Sequence, residues 1–143
     1  MPKPDPALLD PARYPFHCDI YPRFGDLDLN QHLNNVALAG ILEEGRVHFH
    51  RASKYEDAVA GITSMAASFA VDYLGQAHYP DPLVIYTAAI AIGRTSHTLG
   101  QIAMQQGRLI AYAQTVLVCV EGHRPVENSS IFLEAVKPWM LRQ

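Results

Sequence analysis

Residues 24–46 read FGDLDLNQHLNNVALAGILEEGR, and the fold turns on how that stretch divides. Asp26, Asp28, His32, Asn34 and Asn35 crowd its first half, and a nearly uncharged run follows at once. Leu38, Leu42 and Phe49 recur at i, i+4 and i+11, with Ile41 thickening the stripe. That spacing predicts a helix from about Val36 to Arg51. VALAGIL is apolar on every side, so the first half of the helix is expected to be enclosed by protein. Gly40 and Gly45 each cost about 1 kcal/mol against alanine in a helix interior. Their presence implies a neighbour packed very close to the helix backbone. EEGRVHFHR is polar and is expected to emerge into solvent.

Upstream, Phe16, Cys18 and Ile20 alternate with His17, Asp19 and Tyr21, the period of a half-buried strand. After Gly61 the chain reads as strands. In TSMAASFAVDYL one face carries Met65, Ala67, Phe69, Val71 and Tyr73, and the other Ser64, Ser68 and Asp72. LVIYTAAIAI, TLGQIAM and LIAYAQTVLVCV follow, joined by short turns, which predicts antiparallel pairing. SSIFLEAVKPWML closes the chain as a short amphipathic piece that Pro138 ends. The expected class is α+β: an antiparallel sheet of about five strands wrapped around one long central helix. At 143 residues the chain fits one domain, 1–143. Residues 1–14 carry four prolines and read as an extended or turn-rich lead-in.

Composition removes several classes of function. A net charge of −3 and the lack of a Lys/Arg run leave no footprint for nucleic acid or a membrane surface. No apolar stretch approaches the ~20 residues that span a bilayer, and the N-terminus has no continuous apolar core of a signal peptide. Cys18 and Cys119 lack metal-like spacing and read as structural thiols of a reducing compartment, so a cytoplasmic location is expected. No metal and no cofactor is expected. The histidines are scattered, Ser96 lacks a nucleophile elbow, and no Gly-rich phosphate loop occurs.

The string RFGDLDLNQHLNN, with EEGR downstream, resembles the signature of hot-dog-fold acyl-CoA thioesterases of the 4-hydroxybenzoyl-CoA thioesterase-like group. That signature runs Arg-Phe-x-Asp-x-Asp-x-x-Gly-His-Val-Asn-Asn and ends in Glu-Glu-x-Arg. VDYLGQAHYPDPLVIYTAAIAIGRTSHTLGQIAMQQGRLIAYAQTVLVCV matches the group's strand order. The glycine before the histidine is Gln31 here, which bulks up that loop. The resemblance implies hydrolysis of an acyl-CoA or acyl-ACP thioester; the exposed sheet edges and apolar strand surface argue for at least a dimer, so a homodimer or homotetramer with active sites at the subunit interface is expected. The resemblance gives Asp28 the role of nucleophile or general base and Asp26 a structural one. It also implies an oxyanion donor from a glycine-bearing turn before the next strand, for which Gly61 is the candidate.

The residues themselves leave alternatives open. Asp28 lies just ahead of a helix start, whose partial positive charge favours an anion, yet aspartates in such places also cap turns. DxD spacing puts Asp26 and Asp28 on one side of an extended chain. His32 can orient water or the carboxylate, or relay a proton; it can equally be a hydrogen-bonded loop histidine. Asn34 and Asn35 suit the helix N-cap, or a side-chain amide near the thioester carbonyl. Glu43, Glu44 and Arg46 read as helix-surface or interface ion pairing. A non-catalytic module that binds acyl-CoA or another acyl ligand is the alternative to an enzyme.

Overall fold

The computed structural model describes residues 3–143. The lead-in takes the turn-rich form rather than the extended one. Residues Pro6–Leu9 and Pro11–Arg13 form two 3₁₀ turns, each opened by an aspartate whose carboxylate accepts from an amide two residues on, Asp5 from Ala7 at 2.9 Å and Asp10 from Ala12 at 3.0 Å. Asp-Pro supplies both a cap and a first residue preset for helix. The first two positions of the lead-in lie outside the described residues. The segment is pinned by buried Tyr14, whose hydroxyl donates to the Leu8 carbonyl at 2.6 Å.

β1 (Phe16–Ile20) is followed by the polar loop, then α1 (Asn35–Ser53). β2 (Ile62–Tyr73), β3 (Leu83–Ile92), β4 (Ser96–Gln105) and β5 (Arg108–Glu121) come next, then a two-residue β6 (Arg124–Pro125) and α2 (Ser130–Val136). The sheet is antiparallel in the order β1-β3-β4-β5-β2, with β6 paired to β5. β1 and β2 are therefore its edges. Three register shifts, at Ala66/Ser68, Ala89/Ala91 and Ala103/Met104, help the sheet curl.

α1 begins where Asn34 Oδ1 accepts from the Ala37 amide at 2.7 Å and ends at Lys54 in the left-handed region. Leu38, Ile41 and Leu42 face β1 and β3 and pack with Ile20, Leu83 and Ile85. Further along, Phe49 is fully buried edge-on to Phe16, Tyr55 and Trp139. Each such buried side chain stabilises the fold by about 1.5–3 kcal/mol. Gly45 meets its expected neighbour, since a Cβ there would lie 2.6 Å from Ile85 Cγ2.

Two expectations for α1 need correction. Gly40 faces open space and Val36 is 84% exposed, so the first half of the helix is not enclosed by its own chain. Among the described residues the sheet leaves this stretch of α1 uncovered. In the second half, Arg46 turns inward. Its side chain is 13% exposed and lies 4.9 Å from the centroid of the Phe69 ring, with Gln101 Oε1 accepting at 3.4 Å. Burial lowers its pKa, opposed by Glu43 at 3.8 Å. Cys18 and Cys119 are free thiols on β1 and β5. Among the described residues no helix is long and apolar enough to cross a membrane.

Candidate active site

The loop between β1 and α1 is two turns tied together. Residues Phe24–Asp26 form a 3₁₀ turn, which breaks the period of two that DxD spacing assumes. Asp26 and Asp28 consequently point to different places. Asp26 is buried, with Oδ2 accepting from the Arg23 amide at 2.8 Å and Oδ1 from the guanidinium at 3.0 Å. Burial alone would raise its pKa. The hydrogen bonds and charge of Arg23 outweigh burial and hold it below the ordinary carboxylate range. Its carbonyl accepts from both the amide and the side chain of Asn34, each at 2.9 Å. Asp26 thus fastens the loop to the first turn of α1.

Asp28 is exposed and lines a cavity of about 350 Å³. Oδ1 accepts from the amides of Asn30 at 2.8 Å and His32 at 3.1 Å. The turn-capping role is real, but it occupies one oxygen. Oδ2 makes no hydrogen bond to the described residues. His32 lines the same cavity, half-buried, and reaches Asp28 through its backbone rather than its ring. Asn35, at the first position of α1, is a third wall residue, and the floor is apolar: Leu33, Leu38, Ala77 and Ile110. The Asn35 and Val36 amides belong to the first turn and have no partner within the helix.

Asn34 sits apart. It is the N-cap, and it lines a larger cavity of about 530 Å³ on the other flank of α1, with Ala37, Gly40 and Glu44. The smaller cavity is the better candidate site because it brings a carboxylate with an open oxygen together with Asn35, whose amide is free of the helix. The larger one holds Asp26, already consumed by Arg23, and Glu44, which faces His48 at 3.5 Å. A third, apolar groove of about 410 Å³ lies between Val36 and Ala39 of α1 and Phe69 and Val71 of β2. It shares Asn35 and Tyr73 with the Asp28 cavity, so the two are neighbours.

Gly61 is not brought to this loop within the chain. It precedes β2, beyond the far end of α1, a helix of 19 residues and so about 28 Å long. The sequence reading also missed Gly75, Gln76 and Ala77, which line the same cavity as Asp28. They come from the turn after β2, and nothing in the local pattern pairs that turn with the loop after β1.

Gln31 has φ of +65° and is exposed, and its side chain is not part of the cavity wall. The left-handed conformation explains why a glycine suits this position, for other residues hold it at a cost of about 1 kcal/mol. Gln31→Gly is therefore expected to raise stability by about 0.5–1 kcal/mol in urea titration, with turnover unchanged. A lower midpoint would show that the Gln31 side chain contributes more than its backbone strain removes.

An antiparallel sheet curled about one long helix, with a carboxylate loop at the helix start, is the hot-dog architecture. The sequence profile of the thioesterase-like superfamily matches residues 22–140, and the chain belongs to that family. Solved structures share the fold. A thioesterase from Thermus thermophilus, complexed with coenzyme A and Zn, is 23% identical at a TM-score of 0.76 over 87% of this chain and 93% of its own. The probable thioesterase YbaW of Escherichia coli is 22% identical at 0.76, over 87% and 98%. The PA5185 protein of Pseudomonas aeruginosa PAO1 is 19% identical at 0.77, over 92% and 96%. Among proteins of curated function, none matches the sequence.

Proposed function

We propose that this protein hydrolyses an acyl-CoA thioester, with acyl-ACP as the other carrier of the same bond. The observation that carries this reading is the open Oδ2 of Asp28, in the same cavity as the unpaired helix-start amide of Asn35. Asp28 either attacks the thioester carbonyl or takes the proton of the water that does. As the carbonyl oxygen becomes negative, the Asn35 amide stabilises it, and the thiolate leaves; where Asp28 is the nucleophile, water then cleaves the acyl-Asp28 anhydride, which releases the acid and restores the carboxylate. His32 shapes the loop through its backbone and borders the reacting centre with its ring. Membership of the thioesterase-like superfamily and the coenzyme A bound by the Thermus neighbour support a CoA thioester as substrate. Gln31, whose bulk in the loop is the one feature that favours a non-catalytic module, is not among the residues that line the cavity. A panel of acyl-CoA esters followed with a thiol-reactive dye tests the reading; release of CoA from none of them would overturn it.

The active assembly is a homodimer or a tetramer built from it. β2 is a twelve-residue edge strand with no partner on its outer side among the described residues. Met65 is 55%, Phe69 38% and Tyr73 47% exposed along it, and Val36 is bare nearby. An edge of that length and apolarity is expected to be covered. Sedimentation equilibrium is expected to give at least twice the 15.8 kDa chain mass. A monomer at micromolar concentration would refute the assembly.

A further inference from the structure

Gln105, the last residue of β4, is fully buried, and its amide bonds entirely to one loop. Oε1 accepts from the His78 amide at 2.9 Å. Nε2 donates to the His78 carbonyl at 2.7 Å and to the Asp81 carbonyl at 2.9 Å. A buried amide must find partners, but here all three are backbone groups of the loop between β2 and β3. The clamped segment meets the Asp28 loop at three points, one of them the Tyr79 ring edge-on to Phe24 with centroids 6.0 Å apart. The Ala77 carbonyl accepts from the Leu33 amide at 2.9 Å. The His78 ring stands edge-on to the His32 ring, with centroids 5.1 Å apart and planes at 64°. His32 then joins Asp28 by two backbone bonds, its carbonyl accepting from the Asp28 amide at 2.8 Å and its own amide donating to Oδ1 at 3.1 Å.

We propose that Gln105 and His78 are positioning residues for Asp28 and His32, Gln105 holding the backbone of residue 78 and His78 holding the His32 ring. This rests on the thioesterase reading of the same cavity. Gln76 and Ala77 line the same cavity as Asp28, so the clamp bears on the shape of the site as well as the pose of its loop. A misplacement of about 1 Å can cost on the order of a hundredfold in rate, so a buried residue that touches no substrate can govern turnover.

The test uses the intact protein and two readouts. His78→Ala leaves the backbone clamp in place and is expected to lower kcat about tenfold with KM within about twofold. His78→Phe keeps an edge-on ring and is expected to recover kcat to within about threefold of wild type. Gln105→Leu, similar in volume and without the bonds, is expected to lose at least about tenfold, and adding His78→Ala to it should cost little more, because both act through one segment. In the protein without substrate, both single variants should shift the His32 imidazole proton resonances. Should Gln105→Leu fail to fold, His78→Ala decides. Wild-type kcat in folded His78→Ala would overturn the proposal, as would unmoved His32 resonances in either single variant. If the wild type hydrolysed no thioester, the functional reading would fall and the resonances alone would decide the positioning.

Discussion

Asp28→Asn is expected to lower kcat for an acyl-CoA by at least about a hundredfold, with KM within about threefold and the unfolding midpoint unchanged. The substitution separates the turn-capping job of this side chain from the catalytic one proposed for it. Oδ1 accepts from the amides of Asn30 and His32, and an asparagine carbonyl can accept the same two bonds. The loop keeps its shape, including the bond from the Asp28 amide to the His32 carbonyl at 2.8 Å. What changes is the second oxygen, which bonds to none of the described residues and becomes an NH₂ group. That group can neither attack a carbonyl nor accept a proton from water, so nucleophile and general-base routes are both abolished. A residual rate above the uncatalysed one is still expected, because the amides at the start of α1 continue to polarise the carbonyl. A folded Asp28→Asn enzyme at full turnover would remove Asp28 from the chemistry and direct attention to Glu44 in the larger cavity.

Much of this was legible in the sequence, for reasons that differ by element. The helix could be read because Leu38, Leu42 and Phe49 keep its period and Asn34 caps it, both local properties. The strands could be read because the turns between them are short. The 3₁₀ turn at Phe24–Asp26 was hidden, since its cause is the buried pairing of Asp26 with Arg23, and so Asp26 and Asp28 were wrongly placed on one side. Arg46 looked like a surface charge in a polar run, yet its guanidinium lies over Phe69, 23 residues away and on another element. The wall at residues 75–77 and the Gln105 clamp were invisible for the same reason. Sequence spacing encodes which face of an element is apolar, not which distant turn will be laid across it.

Acidification from pH 7 to 5 is expected to destabilise the fold, through a cluster far from Asp28. Beyond the end of α1, Tyr55 shares a hydrogen bond with His97 Nε2 at 2.9 Å, in a nest completed by Phe49 and Phe132. Glu56 lies between two histidines, 3.1 Å from His50 Nδ1 and 3.7 Å from His97 Nε2. Burial first, then the charge of Arg46, pushes His50 down to about 4. Burial, then His50, does the same to His97. A histidine whose folded pKa lies below its unfolded value of 6.5 takes up its proton more readily when unfolded. Stability is therefore complete above about pH 6.5 and falls as pH drops towards about 4. Between about pH 6.5 and 5 the loss is at most about 2 kcal/mol per histidine. Glu56 works in the opposite sense, since burial raises its carboxyl, with Asp57 adding to the rise and Ser64 opposing it. One carboxyl against two histidines leaves a net loss. Urea midpoints measured at pH 7 and 5 should show it, and Tyr55→Phe/His97→Phe, which removes both partners of the buried bond, should reduce the difference by about half. An undiminished pH dependence in that variant would place the acid sensitivity elsewhere.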